Sequence, residues 1–107
     1  METPINQTDA QGLKQGFWEE YWKHNGKLES KGSYLDGKSI GFWEGYRYSG
    51  DLWWKGSFLN NKKTGFWEYY WNNGNLYLKG SWLDEEEIGT WEEYNEDGTL
   101  KEVIYYH

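Results

Sequence analysis

One motif is written four times along this chain, and no other feature restricts its fold as much. Four glycines, Gly16, Gly41, Gly65 and Gly89, open the segments GFWE, GFWE, GFWE and GTWE at intervals of 25, 24 and 24 residues. A tyrosine follows each (Tyr21, Tyr46, Tyr70, Tyr94). Next come a turn glycine (Gly26, Gly50, Gly74, Gly98) and a leucine (Leu28, Leu52, Leu76, Leu100). Lys-Gly-Ser-aromatic-Leu recurs at 31–35, 55–59 and 79–83. A period of 20–50 residues marks a repeat array, in which each unit buries its apolar surface against its neighbours. The spacing divides the chain into an N-terminal capping segment, 1–15, and a repeat domain, 16–107, with units 16–40, 41–64, 65–88 and 89–107. In the capping segment Gly12 stands where Gly37 stands in the first full unit.

Within a unit the signals are those of strands. Short runs rich in Trp, Tyr, Phe and Leu alternate with Asn-Gly, Ser-Gly, Asp-Gly and Asn-Asn punctuation, and no stretch holds a helical period over three turns. Two-residue turns at Ser49-Gly50 and Asn73-Gly74, and a three-residue loop at His24-Asn25-Gly26, predict one common register. Glu19, Glu44 and Glu68 then face Lys31, Lys55 and Lys79, while Trp18, Trp43 and Trp67 face Gly32, Gly56 and Gly80. Arg47 faces Leu52. In the last unit Glu92 faces Val103 and Trp91 faces Ile104, leaving Glu92 without a lysine. A tryptophan across from a glycine can shield bare backbone.

Alternation along the strands sorts the side chains onto two faces. One carries the four tryptophans with Leu28, Leu52, Leu76 and Leu100, plus Tyr34, Trp54, Phe58, Leu78, Trp82 and Ile104, and reads as the core. The other carries Tyr21, Tyr46, Tyr70 and Tyr94, with Phe17, Phe42 and Phe66, between which run the Glu and Lys rows. A single-layer sheet needs a cover for its apolar face. Ring stacking, the segment holding Pro4, Ile5 and Leu13, a second copy or a partner are the alternatives.

Composition narrows the chemistry. The 107 residues include 9 Trp, 10 Tyr and 4 Phe but no Cys, and the formal net charge is −7. Disorder does not suit so aromatic a chain. No run approaches the ~20 apolar residues of a membrane span, and Met1 to Gly16 lacks the pattern of a signal peptide, so a cytoplasmic protein is expected. Without Cys there is neither a disulfide framework nor a Cys–His nucleophile pair. The acidity sits at one end: residues 84–107 hold nine acids and one Lys, a net of −8. That balance opposes nucleic acid and anionic lipid as partners.

The unit, read as KGSYLDGKSIGFWEGY and KGSFLNNKKTGFWEYY, resembles the MORN repeat, in particular its bacterial and phage variant. The hairpin pairs GKL, GDL, GNL and GTL fit that variant too. The resemblance covers residues 16–104, departing at Asn60-Asn61 and Asp84-Glu85, which replace the usual turn glycine. It implies an all-β fold, an elongated and curved antiparallel β-meander. It also implies a protein-interaction scaffold, and some bacterial variant arrays are classed as antitoxins.

No catalytic residue, metal site or cofactor is expected. His24 belongs to a hairpin tip and His107 to the C-terminus. Ser33, Ser57 and Ser81 recur with the repeat and read as strand residues. Asp84-Glu85-Glu86-Glu87 offers carboxylates to Ca²⁺ but too few ligands for the six to eight oxygens that ion takes. The expected function is non-enzymatic binding of a protein partner through the aromatic face, with Tyr21, Tyr46, Tyr70, Tyr94, Phe42, Phe66 and Glu92 as contacts. Alternatives are an antitoxin, immunity or counter-defence inhibitor, a nucleotide or sugar binder, and a structural protein self-associating through the Trp/Leu face.

Overall fold

The structure, a computed structural model, describes residues 4–107; residues 1–3 of the capping segment lie outside the described residues. Nine antiparallel strands follow one another in a single open sheet: β1 (Gln7–Thr8), β2 (Lys14–Tyr21), β3 (Leu28–Leu35), β4 (Lys38–Tyr46), β5 (Leu52–Leu59), β6 (Lys62–Tyr70), β7 (Leu76–Leu83), β8 (Glu86–Tyr94) and β9 (Leu100–Tyr106). Each strand pairs only with its neighbours in sequence, so the sheet is a meander. It measures 48 × 34 × 26 Å with a radius of gyration of 15.8 Å, against ~13 Å for a compact chain of this length. The all-β, elongated meander expected from the repeat is what the chain forms.

The central register agrees with the sequence reading. Glu19, Glu44 and Glu68 stand opposite Lys31, Lys55 and Lys79, and Trp18, Trp43 and Trp67 opposite Gly32, Gly56 and Gly80. Near the loops it differs. The β4–β5 connection is a three-residue loop, closed by the Arg47 N–H donating to the Asp51 carbonyl and the Gly50 N–H to the Arg47 carbonyl. Arg47 therefore faces Asp51, not Leu52. Tyr46 faces Leu52, Gly45 faces Trp54, and the intervening Trp53 is a β-bulge. Glu29, Tyr77 and Lys101 are bulged likewise. The loop takes one residue more than expected and the bulge restores the pairing beyond it. In the first unit the same shift makes Lys23-His24-Asn25-Gly26 a four-residue loop, with Trp22 donating to Lys27.

A one-residue shift moves a side chain to the opposite face. Leu28, Leu52, Leu76 and Leu100 consequently stand across from Tyr21, Tyr46, Tyr70 and Tyr94. They belong to the tyrosine face, not to the tryptophan row.

Three further hairpins turn in two residues, Asp36-Gly37, Asn60-Asn61 and Asp84-Glu85, all six at positive φ. Two successive positive φ values define the type I′ turn that suits twisted strands. The turn geometry thus survives the loss of glycine, with Glu85 held at φ 66. Gly12 lies at the same end of the sheet as Gly37 but closes a three-residue loop on Asp9, like that of Gly50.

Between β3 and β4, Lys31 pairs with Glu44 but Ser33 pairs with Ile40, so β4 carries two extra residues there. The β5–β6 and β7–β8 pairs repeat this. The extra pair begins with the repeat glycine, Gly41 at φ 68, where a Cβ would meet nothing within 4 Å. Backbone conformation, not space, selects glycine at this bulge, and a bulge bends its strand. The indoles are covered within a single chain: Trp43, Trp67 and Trp91 are 4%, 1% and 1% exposed. The rings cover one another, Trp54 stacking on Trp67 at 5.3 Å and Phe58 meeting Trp67 edge-on at 5.1 Å. Ile5 and Leu13 remain exposed; the N-terminal segment instead extends the sheet, the Asn6 side chain bonding the backbone N–H and carbonyl of Glu19.

Successive repeats are also stitched at their loops. The Arg47 guanidinium donates to the Tyr70 carbonyl at 2.9 Å, the Trp71 indole to the Tyr94 carbonyl at 3.1 Å, and Asn73 to the Glu96 carbonyl at 2.8 Å.

Candidate functional site

The face away from the indoles is built from three parallel rows. Residues 42, 44 and 46 of β4 alternate onto it, as do their equivalents in β2, β6 and β8. The middle row is a continuous ladder of alternating charge. Lys31 lies between Glu19 and Glu44, Lys55 between Glu44 and Glu68, and Lys79 between Glu68 and Glu92. Lys55 approaches Glu68 to 3.6 Å and Lys79 approaches Glu92 to 4.0 Å. Glu92 is therefore not the unpaired member. Its hairpin partner is Val103, but β7 supplies Lys79 from the other side. Opposite charges placed directly across strands contribute roughly 0.2–1 kcal/mol per pair.

The second row is the tyrosines, two residues beyond each glutamate. Tyr46 donates to Glu44 at 2.7 Å, and Tyr94 donates to Glu92. The ammonium groups of Lys31, Lys55 and Lys79 lie 6.0, 5.7 and 5.9 Å from the rings of Tyr46, Tyr70 and Tyr94, within cation–π range. Burial and the bonded Glu44 push the Tyr46 hydroxyl up to about 12. Tyr70 is raised by burial, against the opposing pull of Lys55, and Tyr94 is raised chiefly by its bond to Glu92. These three rings are half-buried and fixed by charged neighbours; Tyr21, at the start of the row, is exposed.

The third row is the phenylalanines. Phe42 and Phe66 are each 55% exposed and Phe17 is 41% exposed. They recur on every second strand, a spacing of roughly 9–10 Å. Thr90 takes the equivalent place in β8, across from the exposed Tyr105. All seven expected contact residues, Tyr21, Tyr46, Tyr70, Tyr94, Phe42, Phe66 and Glu92, thus share one face.

His24 belongs to the β2–β3 loop and His107 follows β9, at opposite ends of the strands and on opposite sides of the sheet. The acidic run 84–87 does not converge: Glu85 reaches Lys62 at 3.9 Å, while Glu87, within β8, stands across from Trp82 of β7. Among the described residues no three His, Cys, Asp or Glu side chains gather where a metal ion would need them. No helix is long and apolar enough to cross a membrane.

The sequence reading missed a set of lysines on the opposite face. Lys14 and Lys63 each insert an ammonium among aromatic rings, Lys63 within 4.9 Å of Trp67, 5.4 Å of Tyr69 and 5.0 Å of Trp82. The signal was present in the position four residues before each repeat tryptophan, which reads Lys14, Ser39, Lys63 and Glu87.

Among known proteins, no family model and no curated sequence matches the chain.

Proposed function

We propose that this chain is a non-enzymatic interaction module of the variant MORN type, holding a protein partner against its outer face. The observation that carries this reading is the exposed stripe of Phe17, Phe42 and Phe66 beside a charge ladder that compensates itself. A row of exposed aromatic rings set among polar groups fits an interaction surface, and aromatic anchors supply most of the energy where proteins meet. Tyr46, Tyr70 and Tyr94 add rigidity, because rings already immobilised lose little entropy on binding. The acidic strand β8 and the turns on either side of it, with Asp84, Glu85, Glu96 and Asp97, favour a partner with a basic surface at that end.

Immobilised wild type, F42S/F66S and the loop control N72A test the assignment against lysate of the native host. The expected result is a protein retained by wild type and N72A whose affinity falls by about 30-fold or more with F42S/F66S, the effect of losing a hot spot. Equal retention by all three overturns the outer face as the binding surface.

A further inference from the structure

Three repeats share one aromatic arrangement on the indole face, and two of them fill it with their own cation. In the first, the Lys14 ammonium lies 4.7 Å from the Trp18 ring and 5.0 Å from the Tyr34 ring, and Glu20 accepts from it at 3.2 Å. In the third, Lys63 lies over Trp67, Trp82 and Tyr69, and donates to the Tyr69 hydroxyl at 3.1 Å. In the second, Ser39 replaces the lysine and Gly45 replaces the acceptor (Glu20 or Tyr69). Trp54 lies over the bare backbone of Gly45.

The rings themselves remain. Tyr34 and Trp43 meet at 5.0 Å and 82°, Trp43 and Phe58 at 6.1 Å and 84°, and Trp54 and Phe58 at 6.2 Å and 80°. Together with Ser30 and Ser39 they line a pocket of about 180 Å³. At ~30 Å³ per water, that is room for a group of roughly five or six heavy atoms. The second repeat has lost the internal cation and its acceptor, kept the rings, and gained one more.

We propose that this pocket binds an organic ammonium group from outside the chain, with a preference for a quaternary, methylated one. The equivalent rings of the flanking repeats each hold an ammonium within about 5 Å, the range in which an aromatic ring attracts a cation. The preference for methylation follows from the acceptors. A primary ammonium carries three donors that need partners once desolvated. No carboxylate lines this pocket, so the donors of a primary ammonium would meet only the neutral hydroxyls of Ser30, Ser39 and Tyr34 and would lack the stronger, charge-assisted bond a carboxylate accepts. A trimethylammonium group has no donor to satisfy and gives up little hydration.

Titration of choline and of free trimethyllysine into the isotope-labelled protein tests this, read by the indole N–H resonances of Trp43 and Trp54. The neutral isostere 3,3-dimethylbutan-1-ol is the control for charge. The expected result is saturable shifts with both ammonium probes, and binding of the isostere weaker by about tenfold or more. S39K, which installs the lysine that the flanking repeats carry, is expected to abolish binding while the sheet persists. W54L, with the leucine that Leu78 presents in the next repeat, is expected to weaken it by about tenfold and decides the matter if S39K does not fold. A shift with choline alone, or with trimethyllysine alone, assigns the source of the group. No shift with either probe, equal affinity for the isostere, or undiminished binding by folded S39K or W54L overturns the proposal.

Discussion

The indole of Trp43 lies over the bare backbone of Gly32, where a methyl group would stand inside the ring. Trp67 over Gly56 and Trp91 over Gly80 repeat the contact. In each case the ring comes from the following strand, which opens the next repeat, and not from the preceding strand of the same repeat, so the contact ties one repeat to the next. G56A forces Trp67, the most buried ring with Trp91, out of its place. Overpacking of this kind costs about 1–3 kcal/mol, to be read as a fall in unfolding free energy in urea. An unchanged value contradicts the close approach.

Glu85 occupies the second position of a type I′ turn at φ 66. A left-handed conformation costs a residue with a Cβ about 1–2 kcal/mol, and glycine returns part of that relief through its freer unfolded chain. The ion pair to Lys62, exposed at both ends and 3.9 Å long, contributes little. E85G should therefore raise the unfolding free energy by about 0.5–1 kcal/mol.

The charge ladder makes a salt-dependent prediction. E68K sets three lysines side by side at Lys55, position 68 and Lys79. Two attractive cross-strand pairs become repulsive, a loss of roughly 1–2 kcal/mol at low ionic strength. Denaturation at low and high salt should show the gap to wild type narrowing as ions screen the partly exposed row.

Base should destabilise the fold through its tyrosines. Tyr34 and Tyr46 are pushed up to about 12, first by burial and then by Glu20 and Glu44, from an ordinary 10.0. Between these values the folded chain binds more protons than the unfolded chain, so stability falls as pH rises. Their contribution is complete below pH 10 and is lost as pH climbs through about 12. Phenolate absorbance should show a high-pH class of tyrosines, and Y46F should remove one member of it.

Periodicity carried most of this architecture. The Glu44–Lys55 and Trp43–Gly56 pairs could be placed from spacing alone, because they lie deep in the strands where bulge and loop offsets cancel. The Arg47–Leu52 pair could not, because a two-residue loop and a three-residue loop with a bulge at Trp53 restore the same inner register. The face of the leucines went wrong with it. Lys79 beside Glu92 was hidden for another reason: hairpin reasoning sees one neighbour of a strand, and a sheet supplies two. The aromatic pocket at Ser39 was illegible as geometry, although the exchange of lysine for serine at one repeat position was there to be compared.

Phe42 and Phe66 are the residues on which the outer face stands or falls as a binding surface. If they are held out for a partner, the free protein does not depend on them. The unfolding free energy of F42S/F66S measures this directly. The expected result is a change within about 1 kcal/mol, the sum of two surface substitutions. A loss of several kcal/mol would show that these rings belong to the fold itself, and would contradict their assignment to a partner.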